Sequence, residues 1–278
     1  MSTPGTTLVI GATGTTGSRV VSRLMAAGHP VKAVGRQATD VGGAPAVRFD
    51  WNDPATFDEA LDGVDRLYLI PPLGSREPAA VMLPFLRRGR AAGLRRVVLL
   101  SASAIPSGGP AVGQVHQALP SLFDAWAVLR PSWFMQNFTG DHPHAQSIRK
   151  DGTLLTATGE GRVGFVDADD IAAVAVHALT IPQAPNTDLV ITGPPLSYGD
   201  IAAVLTEVTG RRVTHRKLTY EQMRDRLAAL MPGEFAELLA GMDLAIADGA
   251  EDRTTDTVER LTGRPPRSFR AFVERGLL

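Results

Sequence analysis

The chain has 278 residues, 44% of them apolar and 21% charged, enough to bury one large core or a main domain with a smaller lobe. Its 28 basic side chains are offset by 29 acidic ones, so no net field favours nucleic acid or an anionic membrane. There is no cysteine, which excludes disulfides, thiolate catalysis and cysteine-ligated zinc. The opening MSTPGTTLVIGA lacks the basic and apolar regions of a signal peptide, and no run of about 18 apolar residues exists to span a membrane. A cytoplasmic protein acting on a small molecule is expected. No long apolar heptad pattern is present, so the expected state is a monomer or weak homodimer.

In chain order, TTLVIGA (6–12) is a short β-branched strand, followed from Ser18 to Gly28 by helical periodicity through Val20, Val21, Leu24 and Met25. Strands follow at 29–36, 47–53, 64–72, 95–103 and 126–134, with helices at 54–61 and 81–92 between them. Near-continuous apolar strands alternating with helices predict a parallel sheet covered on both faces, the α/β doubly wound (Rossmann) arrangement. Beyond about residue 140 the pattern turns helical: DDIAAVAVHALT, YGDIAAVLTEVTG, TYEQMRDRLAAL and GEFAELLAGMDLAIADG, with short strands at DLVITG and RRVTHRKL. This predicts a dinucleotide-binding domain over 1–155. Residues 156–278 are expected to form a smaller, mostly helical lobe, interleaved with the core and closing over the C-terminal edge of the sheet.

IGATGTTGSR (10–19) places Gly11, Gly14 and Gly17 between the first strand and the first helix. Gly11 allows the tight turn, Gly14 lets the backbone approach a pyrophosphate, and Gly17 lets the helix pack on the strand. The helix N-terminus offers free N–H groups to the phosphates. Thr13, Thr15 and Thr16 fill the same loop and are counted with the cofactor contacts. The second strand ends in Arg36, where an NAD-preferring site usually carries an acid; a guanidinium there suits a 2′-phosphate, so NADPH is the expected cofactor. Asp50, after the third strand, either accepts from the adenine amino group or caps the helix beginning near Pro54.

GATGTTG, Arg36 and VLRPSWFMQNF (128–138) together resemble the NmrA-like group of atypical short-chain dehydrogenases. FDW (49–51), VVLLSAS (97–103), GGPAVGQVH (108–116), FVDADDIA (165–172) and TGRPPRSFRAF (262–272) particularly resemble its festuclavine/agroclavine dehydrogenase branch. The resemblance implies an NADPH-dependent reductase of iminium, quinone or dye carbons in secondary metabolism or detoxification. The group also contains regulators that sense the nicotinamide and dock on a transcription factor.

Ordinary short-chain dehydrogenases use a tyrosine four residues before a lysine. Here Tyr68, Tyr198 and Tyr220 are followed at that distance by Pro72, Ala202 and Arg224. A carbonyl reductase needs a proton donor there, whereas a conjugated acceptor needs much less, so the sequence favours positioned hydride transfer. By the resemblance, Ser103 takes the place of the family's serine and His116 lies near the nicotinamide as proton donor or pocket wall. Local backbone bonding for Ser103 and helix packing for His116 are the plainer alternatives. Ser101 is counted with the cofactor contacts. Pro131, Trp133 and Phe134 are expected to bring carbonyls and an aromatic ring beside the nicotinamide. Trp133, Phe134, Asn137 and Phe138, with the helix from Met231 to Ala247, are expected to wall the substrate. Asp169 and Asp170 read as helix caps. His142 and His144 have no third ligand nearby, so no metal site is expected.

Overall fold

A computed structural model describes residues 5–275, Thr39 and Arg76 excepted. In chain order the elements are β1 (Thr6–Ile10), α1 (Gly17–Ala26), β2 (Val31–Gly35), β3 (Ala46–Arg48), α2 (Phe57–Leu61), β4 (Val64–Leu69), α3 (Ala79–Ala91), β5 (Arg96–Leu100), α4 (Gly113–Leu122) and β6 (Ala125–Pro131). They continue with α5 (Pro143–Asp151), β7 (Thr153–Thr156), β8 (Arg162–Val163), α6 (Ala168–Thr180), β9 (Thr187–Ile191), β10 (Leu196–Ser197), α7 (Tyr198–Thr209) and β11 (Thr214–Lys217). Last come α8 (Tyr220–Ala228), α9 (Gly233–Ala247), α10 (Thr257–Thr262) and α11 (Phe269–Val273).

The described residues form two compact units. The first runs to Pro131 and adds Ala168–Ile191 and Thr257–Arg264; the second takes Ser132–Asp167, Thr192–Asp256 and the described residues from Pro265. Residues 132–155, expected with the dinucleotide domain, thus group with the second unit, because the chain leaves the main sheet at the end of β6.

The first unit is a seven-stranded parallel sheet in the order β3-β2-β1-β4-β5-β6-β9. The order reverses between β1 and β4, and the carboxyl ends of strands at such a reversal form a ligand crevice. The central strands are apolar without alternation because both faces are covered: Leu8 and Val9, Leu67 and Tyr68, Val97 and Val98, and Val128 and Leu129 are all fully buried. One difference from the sequence reading concerns DLVITG. It supplies β9, in register with β6 from Ala127↔Thr187 to Pro131↔Ile191, and so belongs to the main sheet rather than to the helical lobe. Its backbone groups pair with the edge that β6 would otherwise leave open.

The second unit packs α5, α7 and α11 around Phe138, Phe165, Tyr198, Phe269 and Phe272, all buried. It contains a parallel pair, β7 with β11, and an antiparallel pair, β8 with β10. Helix α9 is anchored by buried Asp243, whose Oδ2 accepts the Ala157 N–H at 2.7 Å.

Candidate cofactor and acceptor site

The glycine loop connects β1 to α1. Gly11 has φ +67°, a backbone conformation that glycine adopts without strain, and the Gly14 N–H closes onto its carbonyl at 2.9 Å. A Cβ at Gly17 would lie 2.1 Å from the Gly11 oxygen, so only glycine permits this approach of helix to strand. The exposed tip, Thr13 to Thr15, stands before a helix whose first turn has no acidic residue. The positive end of α1 is therefore left for an anion. This cradle fits a pyrophosphate.

Tyr68 and Arg19 hold the loop, and neither was assigned that task from the sequence. The Tyr68 hydroxyl donates to Thr16 Oγ1 at 3.0 Å. Arg19 donates to the Thr15 carbonyl at 2.6 Å and pairs with Asp169 at 2.9 Å. Asp169 and Asp170 lie inside the first turn of α6 and serve as partners of arginines, Asp170 with Arg264 at 2.7 Å, rather than as simple caps. Arg19 and Asp169 lie 150 residues apart along the chain, which is why tertiary pairing of this kind is invisible in the sequence.

Arg36 follows β2 directly and is exposed, as a 2′-phosphate contact must be. Asp50 does not cap the helix near Pro54. Asp53 does, accepting the Ala55 N–H, while Asp50 Oδ1 accepts the Asn52 N–H at 2.9 Å in a local turn.

At the carboxyl ends of β4 and β5 lies a cavity of about 290 Å³, lined by Ile70, Pro72, Leu73, Leu100, Ser101, Ala102, Ile105 and Val112 among others. Ile70 also abuts the glycine loop: a Cβ at Gly11 would meet its Cδ1 at 3.1 Å. Leu73 stands 95% exposed at the rim. Ser101 Oγ is buried and has no hydrogen-bond partner among the described residues. No titratable side chain lines this cavity among the described residues.

Ser103 is buried beyond it, its N–H donating to the Pro131 carbonyl at 2.9 Å and its carbonyl accepting from Arg130 at 2.7 Å. Arg130 in turn pairs with Asp188 at 2.6 Å, fixing the ends of β5, β6 and β9 together. His116 is buried on α4, its ring centroid 6.5 Å from that of Trp126. Burial pushes its pKa below 6.5; Asp188 opposes this and Arg130 adds to it. Near neutral pH the ring is therefore neutral.

Of the other expected wall residues, Pro131 belongs to the first unit, and Trp133, Phe134, Asn137 and Phe138 belong to the second. The carbonyls of Pro131, Trp133 and Phe134 each accept one hydrogen bond, from the N–H groups of Ser103, Val166 and Asn137. Trp133 and Phe134 are half-buried, Trp133 packing on the aromatic core, and Asn137 is likewise half-buried in a single 3₁₀ turn. Phe138 is 1% exposed, stacked on His144 and edge-on to Phe165 and Tyr198. It is a core residue, not a substrate wall, because the 3₁₀ turn carrying it points it inward. Within α9, Leu238 and Leu244 are exposed and Ala236 and Ala240 are buried. The histidine pair has a local purpose: His142 Nδ1 accepts the His144 N–H at 3.2 Å and caps α5.

Residues 11–124 match the NAD(P)H-binding family model. The chain is 42% identical over 268 residues to the oxidoreductase YesF of Bacillus subtilis, covering 96% of this chain and 93% of that one. It is 37% identical over 281 residues to an agroclavine dehydrogenase of Claviceps fusiformis, covering 96% of each. The chain belongs to the NmrA-like atypical short-chain dehydrogenase/reductase family. The NmrA-like fold is shared with the NADP(H) complex of a triphenylmethane reductase from Citrobacter, at a TM-score of 0.80 and 22% identity over 99% of this chain and all of that one. As an NmrA-like protein the chain binds NAD(P)H, and the glycine loop between β1 and α1 lies within the matched NAD(P)H-binding region. No described helix is long and apolar enough to cross a membrane.

Proposed function

We propose that the protein is an NADPH-dependent oxidoreductase that passes hydride to a conjugated small-molecule acceptor, an imine or iminium carbon or a quinone-like ring, in secondary metabolism or detoxification. The observation that carries this reading is the apolar cavity at the ends of β4 and β5, beside the glycine loop and bearing one unpartnered hydroxyl, Ser101. A bound reduced nicotinamide supplies the hydride. The loop residues Gly11, Thr13, Gly14, Thr15, Thr16 and Gly17 hold the pyrophosphate, Arg36 the 2′-phosphate and Asp50 the adenosine end. Ile70, Leu100, Ile105 and Val112 exclude water and hold the acceptor face by apolar contact, so that proximity supplies most of the rate. Ser101 donates one hydrogen bond to a heteroatom at the cavity. Ser103, tied at both its N–H and carbonyl, keeps that segment rigid.

A wall with no titratable side chain among the described residues suits an acceptor whose charge is neutralised or delocalised as hydride arrives. Relatives with clavine-dehydrogenase names and structural neighbours named for dye and quinone reduction support that class. The cavity also favours an enzyme over a sensor of the nicotinamide, which needs no room for an acceptor. The test is NADPH oxidation across cyclic imines, quinones and cationic dyes. At least one class should turn over, and Ile105→Trp, which fills the cavity, should abolish turnover without weakening NADPH. Silence across the panel with NADPH bound would overturn the reading in favour of a regulator.

A further inference from the structure

Tyr68 sits near the end of β4, fully buried, and among the described residues its hydroxyl bonds to Thr16 Oγ1 alone, at 3.0 Å. Burial raises the phenol's pKa above its ordinary 10, so Tyr68 stays protonated and remains a donor over the whole working range. Thr16 is 3% exposed and makes no side-chain cap to its own helix. Two hydroxyls joined by one hydrogen bond leave one hydrogen over, and with Tyr68 donating it is the hydrogen of Thr16.

Four carbonyls of the loop are already engaged. That of Gly11 accepts from Gly14, that of Gly14 from both the N–H and the hydroxyl of Ser18, that of Thr15 from Arg19, and that of Thr16 from Val20. A buried hydroxyl hydrogen without an acceptor is unfavourable, and the loop that carries it is the anion-binding cradle. We infer that Tyr68 is a positioning residue for the dinucleotide: it fixes the Thr16 hydroxyl so that Thr16 donates to a pyrophosphate oxygen. The inference rests on NAD(P)H binding by this loop. It gives a purpose to a buried tyrosine that lacks the lysine partner of ordinary dehydrogenases.

The experiment is fluorescence titration of NADPH and of NADH into the unmodified protein, Tyr68→Phe, Thr16→Val, Thr16→Ser and the Tyr68→Phe/Thr16→Val double variant. The nucleotide-induced rise in Tm of each is read alongside. Thr16→Val should weaken both nucleotides about tenfold and Tyr68→Phe about three- to fivefold, equally for the two because they share the pyrophosphate. Thr16→Ser keeps the hydroxyl and should restore binding. The double variant should be no weaker than Thr16→Val alone, since Tyr68 acts only through Thr16. Unchanged binding in Tyr68→Phe, or additive losses in the double variant, would overturn the inference while leaving nucleotide binding intact. An unmodified protein that bound neither nucleotide would overturn both.

Discussion

The Arg264 guanidinium lies 2.7 Å from the carboxylate of Asp170, a residue of the first turn of α6 with no exposed surface. The short helix α10 thereby ties the C-terminal stretch TGRPPR to the sheet-covering helix α6, and a carboxylate so buried depends on its partner. Arg264→Ala should lower stability by roughly 1–2 kcal/mol, since the buried carboxylate loses one partly exposed partner. Chemical denaturation measures it. The Asp170→Ala/Arg264→Ala double variant should lose less than the two single losses added; strict additivity would show that the pair is not coupled.

Arg36 is the proposed contact for the 2′-phosphate. The unmodified protein should bind NADPH at least tenfold more tightly than NADH, about 1.4 kcal/mol. Arg36→Glu should cancel that ratio by repelling the 2′-phosphate while leaving NADH affinity near its original value. Parallel titrations decide, and equal affinities in the unmodified protein would remove Arg36 from the site.

His116 is neutral near neutral pH because burial lowers its pKa below 6.5. If it donates a proton to a neutral acceptor, kcat should rise as pH falls toward that lowered value, and His116→Ala should reduce kcat on the order of 10²-fold with NADPH affinity intact. A cationic iminium or dye needs no proton, so its kcat should stay flat with pH and survive the substitution. A pH profile on one acceptor of each kind makes the comparison. An unchanged kcat on the neutral acceptor would leave His116 a packing residue.

The second unit carries two buried groups with opposite pH effects. Burial among Phe138, Tyr198 and the neighbouring His142 and His215 pushes His144 down from 6.5 to about 3. The unfolded chain therefore takes up a proton below pH 6.5 that the folded chain refuses, and stability is lost from 6.5 downward. Burial pushes Asp243 up from 3.8 to about 6, the Ala157 N–H opposing the shift. The folded state binds that proton first, so stability is regained between pH 6 and 3.8. Asp243→Asn keeps an acceptor for Ala157 and should stabilise the protein at pH 8 by up to about 3 kcal/mol, the gain fading as pH falls from 6 to 4. His144→Phe should flatten the loss below pH 6.5. Tm measured from pH 4 to 8 tests both, and parallel curves for variant and parent would refute them.

What the sequence determined by itself is the local part of this protein. Gly11, Gly14 and Gly17 between a β-branched run and a 3.6-residue periodicity define the cradle, because the constraint on each glycine acts within a few bonds. The apolar strands through Val98 and Val128 declare a parallel sheet for the same reason: burial on both faces removes alternation. Arg36 at the end of β2 is legible because its position follows from the strand that ends before it.

Only the tertiary structure decided which residues separated along the chain meet. It sent TDLVI back to pair with β6, since an open strand edge accepts any chain that reaches it with matching length. It put Phe138 inside the aromatic core and tied Asp170 to Arg264 and Tyr68 to Thr16. It also lowered the pKa of His116, because the dielectric around an imidazole depends on what packs against it and not on its neighbours in sequence.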